Sequence, residues 1–329
     1  MTVTYVLGGA DAGKYVAPAA QTFGTGVITA RGLTVSGLAA VSRAYDGTTV
    51  ASVSGTPVLS GVVSGDTVTV AGTATGAFAS KVVGTGKTVT VGGLSLGGVS
   101  SGNYTLTAPT LTADITTKAL TIGSPTVTLS KVYDATRSAV VTAGALSGVV
   151  SGDSVSVTAS ALYDTAAVGT AKTVTVTYAL GGTDAGNYAG PTSQAFATGV
   201  ITGKGLTISG LAAASRAYDG TTVASVSGTP VLSGVVSGDT VTVSGTATGA
   251  FASKVVGTGK TVTVGGLSLG GVSAANYTLT APTLTADITT KALTIGSPTV
   301  TLSKVYDATR SAAVTAGALS GVVSGDSVS

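Results

Sequence analysis

Short segments in which apolar residues alternate with threonine or serine occur along the whole chain. Clear examples are residues 67–70, 88–91, 104–107 and 111–115, where every second residue is apolar. A period of two predicts half-buried β-strands. Segments rich in glycine or proline, such as 54–57, separate these runs, and no helical period of 3.6 residues is sustained. We therefore predict an all-β protein built from short strands.

This strand pattern repeats along the chain. Residues 33–156 align with residues 206–329 without a gap and with only six differences, which gives a long period of 173 residues. A weaker repeat lies inside it, because Tyr45, Tyr133 and Tyr218 open similar Tyr-Asp motifs at spacings of 88 and 85 residues. The chain thus alternates two versions, repeat A and repeat B, of a unit of about 86 residues.

The two periods predict where each repeat begins and ends. Residues 1–30 match the last third of repeat B, and residues 291–329 match its first part, so we interpret both as incomplete B repeats, as in a segment of a longer array. Between them we predict three complete repeats, which are repeat A at 31–117, repeat B at 118–203 and repeat A at 204–290.

Each complete repeat is predicted to be a small antiparallel β-sandwich of immunoglobulin-like size. The reason is that each contains seven or eight short alternating runs with turn signals between them. We expect every repeat to bury a small core of its own. Residues 113–122 cross the first boundary without glycine or proline, which predicts stiff connections and an elongated array. The alternative is a parallel β-helix, but it predicts a period of about 20–30 residues, which the sequence lacks.

Composition narrows the chemistry that the chain can perform. Histidine, cysteine, tryptophan and glutamate are absent, and all 13 acidic residues are aspartate. Without histidine and cysteine there is no imidazole base, no thiol nucleophile, no thiolate zinc site and no disulfide. We therefore expect a protein that is not an enzyme, with no catalytic residue, no cofactor and no metal site beyond weak calcium candidates.

The charges and the hydropathy are those of neither a nucleic-acid-binding nor a membrane-inserted protein. Only 9% of residues are charged, and the net charge of +3 is spread without a basic run, whereas nucleic-acid binding needs clustered lysine and arginine. No run of about 18 apolar residues is present, so no transmembrane helix is expected. Aromatic residues make up 5% of the chain, too few for the interfacial girdles of a membrane barrel. No signal peptide follows Met1.

The Tyr-Asp motif is the most distinctive tripeptide, and we interpret it as structural. The aspartate is expected to cap a turn and the tyrosine to anchor it in the core. Because repeat B has Ala135 where repeat A has Gly47, we expect no demand for a positive φ at the third position. Other tyrosines recur after an Asn-type turn. The predicted structural residues are Tyr45, Asp46, Tyr133, Asp134, Tyr218, Asp219, Tyr306, Asp307, Tyr104, Tyr188 and Tyr277.

Two other motifs carry weaker signals. Asp66, Asp153 and Asp239 each follow Ser-Gly before a strand and are weak calcium candidates, because calcium needs six to eight oxygen ligands and no further acidic residue lies close in sequence. Residues 84–88 resemble the end of a P-loop. However, the P-loop pattern requires a glycine five residues before Gly86, where this sequence has Lys81, and no helix follows. We predict a hairpin turn with an exposed lysine there.

Repeat A contains a set of five distinctive segments, at residues 31–35, 45–49, 60–66, 83–91 and 103–106. Together they resemble a known family, the YDG and related MBG repeat domains of large bacterial surface adhesins of the filamentous-haemagglutinin and two-partner-secretion type. Repeat B departs from the pattern at Ala135 and at Tyr163, which stands where repeat A has Phe78, and Lys14 stands where Asn187 is expected. The resemblance implies a β-rich extracellular repeat with a stalk or adhesion role, and it implies no catalytic residue.

Together these observations predict a non-catalytic spacer of a bacterial cell-surface or secreted adhesin, which contributes to adhesion or to a biofilm matrix. Its first partners are the adjacent repeats of the same chain. A surface glycan or exopolysaccharide bound to a threonine-rich sheet face is an alternative, as is head-to-tail self-association by strand addition between the incomplete repeats at 1–30 and 291–329. Counterparts of residues 157–173 are then still missing, which weighs against self-association. No nucleic acid and no membrane insertion is expected.

Overall fold

The computed structural model describes residues 1–329 and contains only β-strands and four single 3₁₀ turns. The 3₁₀ turns are Ala12–Lys14, Ser101–Asn103, Ala185–Asn187 and Ala274–Asn276. The segment before the first complete repeat contains β1 (Thr2–Val3) and β2 (Gln21–Thr22). The first repeat A contains β3 (Arg31–Ala40), β4 (Arg43–Ala44), β5 (Val50–Ala51), β6 (Val53–Ser60), β7 (Thr69–Phe78), β8 (Gly84–Gly97), β9 (Tyr104–Thr107) and β10 (Thr110–Thr116).

The remaining strands follow the same order. Repeat B contains β11 (Lys118–Ala119), β12 (Thr121–Ile122), β13 (Thr126–Val127), β14 (Ser130–Val132), β15 (Ser138–Ala139), β16 (Val141–Thr142), β17 (Leu146–Ser147), β18 (Ser156–Tyr163), β19 (Gly169–Gly181), β20 (Tyr188–Ala189) and β21 (Gln194–Thr202). The second repeat A contains β22 (Lys204–Ala213), β23 (Arg216–Ala217), β24 (Val223–Ala224), β25 (Val226–Ser233), β26 (Thr242–Phe251), β27 (Gly257–Gly270), β28 (Tyr277–Thr280) and β29 (Thr283–Thr289). The last strands are β30 (Thr294–Ile295), β31 (Thr299–Val300), β32 (Val314–Thr315) and β33 (Leu319–Ser320).

The prediction of a tandem all-β chain is confirmed, and both A repeats contain eight strands. Each forms a three-stranded sheet, in the order β6-β3-β9 or β25-β22-β28, and a five-stranded sheet, in the order β4-β10-β8-β7-β5 or β23-β29-β27-β26-β24. Most pairs are antiparallel, but β3 pairs with β9 and β4 with β10 in parallel. The sequence did not predict these parallel edges, because parallel pairing depends on which distant segments meet.

The alternation read from the sequence sets the burial of the strands. On β8, Val89 and Val91 point into the core while Thr88 and Thr90 are exposed. The same alternation buries Leu33 and Val35 on β3. Period-two side chains on a pleated strand necessarily point to opposite faces, so these threonines face solvent wherever the valines are buried.

The compact parts of the chain do not coincide with the sequence repeats. One compact unit comprises residues 1–124, 143–158 and 178–192, and the other comprises residues 125–142, 159–177 and 193–329. The core around Tyr45 and Phe78 of the first repeat contains Leu120 and Tyr188 of repeat B. The expectation that each repeat buries a core of its own is therefore corrected: strands of repeat B complete the core of the repeat before it.

At the first boundary between repeats one strand follows another almost directly, as the sequence predicted. Strand β10 ends at Thr116 and β11 begins at Lys118, so a single residue separates them. Leu120 follows immediately and is only 4% exposed. A flexible linker is thus absent at this position, because residues on both sides are fixed by sheet pairing and by burial.

Strands β3 and β6 approach each other closely at Gly55. It has φ of +97°, and a Cβ added to it would overlap the backbone carbonyl of Gly37 on the paired strand. We predict that Gly55→Ala destabilises the first compact unit by at least about 2 kcal/mol, because it adds a steric clash to an unfavourable φ. Chemical denaturation measures this change.

Gly32→Ala is the matched control for that substitution. Gly32 lies on β3, where it pairs with Thr105 of β9, and it has no positive φ. Its added Cβ would meet only the Thr105 hydroxyl at 4.0 Å. Equal stability losses in the two variants would contradict the steric explanation.

Candidate functional site

The site that the fold assembles is a contact between consecutive repeats, in which one carboxylate accepts hydrogen bonds from two tyrosines. Asp153 Oδ2 accepts from the Tyr45 hydroxyl at 2.8 Å and from the Tyr188 hydroxyl at 2.6 Å. Tyr45 belongs to the first repeat A, whereas Asp153 and Tyr188 belong to repeat B. We call this three-residue arrangement the tyrosine junction.

Strand ends place each member of the tyrosine junction. The Tyr45 amide donates to the Thr116 carbonyl at 2.9 Å, directly after the parallel pair of β4 and β10. The Asp153 amide donates to the Val150 carbonyl at 3.1 Å in a turn, and Tyr188 begins β20. Since β20 pairs in parallel with β11, which begins repeat B, Tyr188 lies at the boundary between the repeats.

The same arrangement recurs at the boundary between repeat B and the second repeat A. Asp239 Oδ2 accepts from Tyr133 at 2.9 Å and from Tyr277 at 2.5 Å. In both junctions the two rings meet edge to face, with centroids 5.4 Å apart. Edge-to-face packing adds to the burial energy of the two rings. The junction is therefore independent of which repeat version comes first.

An asparagine beside each junction adds a second connection between repeats. Asn187 Oδ1 accepts from the Val83 amide at 3.0 Å, and Asn276 Oδ1 accepts from the Val168 amide at 3.0 Å. The Tyr188 hydroxyl also accepts from the Val150 amide at 2.9 Å. The sequence showed Asn-Tyr as a recurring pair but gave no sign that the asparagine reaches back to the preceding repeat.

The remaining predicted tyrosines are not equivalent. Tyr104 is buried and donates to Asp66 within its own repeat. Tyr218 is half-buried and donates to Asp326 at the longer distance of 3.3 Å. Tyr306 is 91% exposed, so its predicted role as a core anchor is wrong. Its counterpart Tyr133 is buried against Asp239 and Tyr277.

Burial and hydrogen bonding shift both kinds of acid in the junction. Burial and the bond to Asp153 raise the pKa of Tyr45 and of Tyr188 to about 12. Burial and the bond to Asp239 raise the pKa of Tyr133 to about 12. In return, the hydrogen bonds from Tyr188 and Tyr45 lower the pKa of Asp153, and the bond from Tyr277 lowers that of Asp239. The junction therefore stabilises neutral tyrosine and ionised aspartate together.

These hydrogen bonds occupy the carboxylates that the sequence offered as calcium candidates. Asp66, Asp153 and Asp239 all accept from tyrosine hydroxyls, and Lys81 Nζ lies 3.6 Å from Asp153 Oδ1. No group of three or more acidic side chains is close enough to hold a metal ion. Calcium at Asp153 Oδ2 would compete with two tyrosine hydroxyls for that oxygen, and calcium at Oδ1 would meet the Lys81 ammonium.

The Tyr-Asp-Gly turn forms as predicted at the aspartate. Asp46 Oδ1 accepts from the Thr48 amide at 2.8 Å and from the Thr48 hydroxyl at 2.9 Å. Asp134, Asp219 and Asp307 make the same pair of bonds to the threonine two residues later. This side-chain capping is what short polar residues do in Asx turns.

The third residue of that turn differs from the expectation. Gly47 has φ of +82°, and Ala135 has φ of +63° at the same place in repeat B. A positive φ is therefore required in both versions, and repeat B adopts it with an alanine. The left-handed conformation costs a residue with a Cβ roughly 1–2 kcal/mol. The capping bonds of Asp134 offset this cost.

The sequence analysis did not identify the positively charged side chain that pairs with the aspartate of each Tyr-Asp turn. Arg43 pairs with Asp46, donates to the Val50 carbonyl at 3.0 Å and lies over the Phe78 ring. In repeat B, Lys131 donates to Asp134 at 2.7 Å and lies over the Tyr163 ring. The departure of repeat B at Tyr163 is thus part of a paired exchange, Arg with Phe for Lys with Tyr. Only the structure shows that the two positions face each other.

The segment that resembles a P-loop is a strand and not a hairpin turn. Residues 84–88 open β8, and Gly86 with φ of +57° donates its amide to Asp114 Oδ1 at 2.7 Å. Lys87 is half-buried and donates to the Ser80 hydroxyl, so the predicted exposed lysine is wrong. Its counterpart Lys172 is buried beside Asp164 at 3.3 Å. Each lysine, near the start of a strand, thus contacts a polar residue that follows the preceding strand.

Comparison with known protein families identifies the repeats. The family model described as YDG domain matches residues 29–112, 116–195 and 202–285, which together make up more than half of the chain. No curated protein matches the chain. None of the helices, which are all single 3₁₀ turns, has the length and apolar character needed to cross a membrane.

Three tyrosines at equivalent positions predict a graded loss of stability. Tyr45 is 1% exposed, Tyr218 is half-buried and Tyr306 is 91% exposed. We expect Tyr45→Ala to cost about 3–5 kcal/mol, as truncation of a buried aromatic residue does. Tyr218→Ala should cost less, and Tyr306→Ala should stay within about 0.5 kcal/mol. Native-state hydrogen exchange of the surrounding strand amides measures each value. Similar losses at Tyr45 and Tyr306 would refute the assignment.

The pKa shifts predict a decline of stability at alkaline pH. A tyrosine ionises near pH 10 when unfolded, whereas Tyr45, Tyr133 and Tyr188 have pKa values of about 12 in the fold. Their contribution is therefore complete below pH of about 10 and is lost as the pH rises through about 12. Thermal unfolding at increasing pH, followed together with tyrosinate absorbance, measures this. If all tyrosines of the native protein ionised near pH 10, the junction would not be as described.

The lowered pKa values of the junction aspartates predict a loss of stability at acid pH. Because the pKa of Asp153 and that of Asp239 are lowered in the fold, their contribution is present above the ordinary carboxyl pKa and is lost as the pH falls below it. Asp153→Asn should flatten the acid limb for the first compact unit. Asp11→Asn, which alters an exposed ion pair with Lys14, is the control and should leave it unchanged.

Proposed function

The chain belongs to the YDG domain family, and from that premise we propose that it is a non-catalytic structural spacer of a bacterial cell-surface or secreted adhesin. The single observation that carries the proposal is the tyrosine junction, in which Asp153 binds tyrosines of two consecutive repeats. A chain whose purpose is to hold repeats in line needs such a connection at each boundary.

Shared burial supports a stiff connection at the first boundary. Leu120 and Tyr188 of repeat B are part of the same core as Tyr45 and Phe78 of repeat A. Bending the chain at residue 117 would expose this apolar surface to water, which is unfavourable by about 25 cal/mol for each Å². Glycine- or serine-rich linkers carry no such penalty.

The composition is compatible with a location outside the cell. With no cysteine, the repeats need no disulfide formation after export. The stabilising groups are buried rings, buried aliphatic side chains and hydrogen-bonded aspartates, all of which form from the unfolded chain without a cofactor. We propose export as an unfolded chain followed by folding at the cell surface.

The arrangement of the tyrosines supports a spacer over a glycan-binding module. Carbohydrate recognition commonly uses exposed aromatic rings as stacking platforms. In the A and B repeats, the rings of Tyr45, Tyr133 and Tyr188 are buried at the junctions, and Tyr163 is buried beneath Lys131. The Asp153 and Asp239 carboxylates are likewise engaged by tyrosine hydroxyls.

Small-angle scattering of the full chain tests the spacer proposal, with the data extrapolated to zero concentration. A compact globule of this length has a radius of gyration of about 20 Å. Repeats placed end to end, each about 35–40 Å long given strands of this length, give a value above about 30 Å. A value near that of the globule would overturn the proposal.

A variant with four Gly-Ser residues inserted after Thr117 provides the control for stiffness. If the tyrosine junction fixes the boundary, this insertion should shift or broaden the distance distribution, because the junction must then be closed across a flexible loop. The same insertion within the turn after Gly65, where open space surrounds the glycine, should leave the distribution unchanged.

A further inference from the structure

The segment with which each repeat A begins runs beside the segment with which it ends, in the same direction. In the first repeat A, β3 pairs in parallel with β9, and the paired residues are 73 positions apart in sequence. Further along, β4 pairs in parallel with β10, and the paired residues are 72 positions apart. The nearly constant separation shows that the two segments follow one path. We call residues 31–45 the entry segment and residues 104–116 the exit segment.

Two further hydrogen bonds join the entry segment to the exit segment. The Asp114 amide donates to the Ser42 hydroxyl at 2.9 Å, and the Tyr45 amide donates to the Thr116 carbonyl at 2.9 Å. The connection therefore extends along the whole entry segment. The second repeat A makes the same two bonds at the same distances, from Asp287 to Ser215 and from Tyr218 to Thr289.

Repeat B has the same arrangement, although its paired strands are shorter. Strand β11 pairs in parallel with β20, and β14 pairs in parallel with β21. The paired residues are 70 positions apart in both pairs. The Tyr133 amide donates to the Thr202 carbonyl at 2.9 Å, as the Tyr45 amide does to Thr116. Parallel pairing between the beginning and the end is therefore a property of both versions of the repeat.

This pairing determines how a repeat responds to tension along the chain. The chain enters repeat A at the first residue of the entry segment and leaves it at the last residue of the exit segment. Because the two segments are parallel, these points lie at opposite ends of the paired stretch. Tension pulls the segments past each other along the strand direction, so the hydrogen bonds between them share the load and must break together. A hairpin that is pulled apart at its open end loses its bonds one at a time.

Tension passes from each complete repeat to the next without slack. Strand β10 ends at Thr116 and β11 begins at Lys118, and β21 ends at Thr202 and β22 begins at Lys204. A single residue thus separates the last strand of one repeat from the first strand of the next. Neither boundary contains a loop that would extend before the paired segments are loaded.

We propose that the paired entry and exit segments form a mechanical clamp, which allows the chain to bear tension along its length. The proposal rests on the spacer function and deepens it, because a spacer at a cell surface is pulled whenever the cell moves while the far end is held. It goes beyond spacing, since holding repeats apart does not require that they resist being pulled open.

The tyrosine junction holds the end of the entry segment in place. Tyr45 is the last residue of that segment, its hydroxyl donates to Asp153 and its ring packs against Tyr188. The entry segment cannot slide along the exit segment unless this ring leaves the junction. Repeat B therefore reinforces the clamp of the repeat before it, and the second junction does the same for repeat B.

Single-molecule force spectroscopy of the full chain tests the clamp. The chain contains no cysteine, so a pair of introduced cysteines defines the two points that are pulled. Ala30→Cys with Thr117→Cys, both at exposed positions, applies the force across the entry and exit segments of the first repeat A. The expected result is one cooperative event that releases about 290–310 Å of chain, less the distance between the two points in the folded repeat.

Thr67→Cys with Val99→Cys is the control for the direction of pulling. These exposed residues flank the open end of the hairpin of β7 and β8, where Thr69 pairs with Gly97. The same repeat with the same core is then opened by peeling. At equal loading rate, pulling across the entry and exit segments should need at least about twice the force of peeling, because the hydrogen bonds must break together. Equal forces in the two directions, or a lower force across the entry and exit segments, would overturn the proposal.

Tyr45→Phe measures what the junction adds to the clamp. The substitution keeps the ring and removes the hydroxyl that donates to Asp153. Pulled across the entry and exit segments at constant force, the variant should unfold about three- to tenfold faster, the equivalent of one hydrogen bond. Its unfolding by peeling at Thr67 and Val99 should be unchanged, which also shows that the repeat is folded. An unchanged rate across the entry and exit segments would refute the reinforcement.

Tyr163→Phe is the matched control for that substitution. Tyr163 of repeat B is buried, its hydroxyl donates to the Thr128 carbonyl at 3.4 Å, and repeat A has phenylalanine at this position. This variant should unfold the first repeat A at the parent rate. An acceleration equal to that of Tyr45→Phe would refute the reinforcement, because the effect would then be a general loss of stability.

The scattering experiment separates this proposal from the spacer proposal. A chain that is elongated in solution but unfolds at equal force in both directions remains a spacer and lacks the clamp. A chain that is compact in solution fails as a spacer, whatever force its repeats withstand. An elongated chain with the higher force across the entry and exit segments supports both.

Discussion

The contact between consecutive repeats centres on a buried carboxylate that accepts two tyrosine hydroxyls. Asp153 is reached by Tyr45 from the preceding repeat and by Tyr188 from its own repeat. An ionised aspartate without partners would be costly to bury. The two hydroxyls, together with the nearby Lys81, satisfy it. Because one oxygen serves two repeats, the separation of the repeats would leave the charge without one of its donors.

The contacts in the structure explain how two different versions of the repeat can alternate along the chain. Repeats A and B differ in the cation behind the turn, in the ring beneath it and in the third residue of the Tyr-Asp motif. All three differences preserve one geometry: Arg43 over Phe78 becomes Lys131 over Tyr163, and Ala135 adopts the positive φ of Gly47. The tyrosines, the aspartate and the asparagine that meet at each junction do not change. Tyrosine and aspartate occupy both junctions, so either version can follow the other.

The sequence predicted whatever depends on local pattern. Alternation identified the strands around Val89, and the Asp46 turn followed from its residue types, because both are decided within a few residues. The sequence did not predict that Asp153 meets Tyr45, since the two are separated by 108 residues and the contact depends on the packing of entire sheets. Tyr306 was misassigned for the same reason: its motif is identical to that of Tyr133, and only the surroundings differ. Near-identical copies also hide which residues matter, because everything is repeated equally.

The sharing of a core across the boundary has a consequence for the order in which the chain acquires its structure. Tyr45 is available early in synthesis or export, but Asp153 and Tyr188 follow more than a hundred residues later. A repeat that has just emerged therefore remains open on one side until its successor arrives and closes it. Structure then propagates along the array in the direction of emergence, with each boundary sealed by the next repeat. The repeat that has emerged most recently is therefore the least stable part of the array, because the repeats before it already have complete junctions.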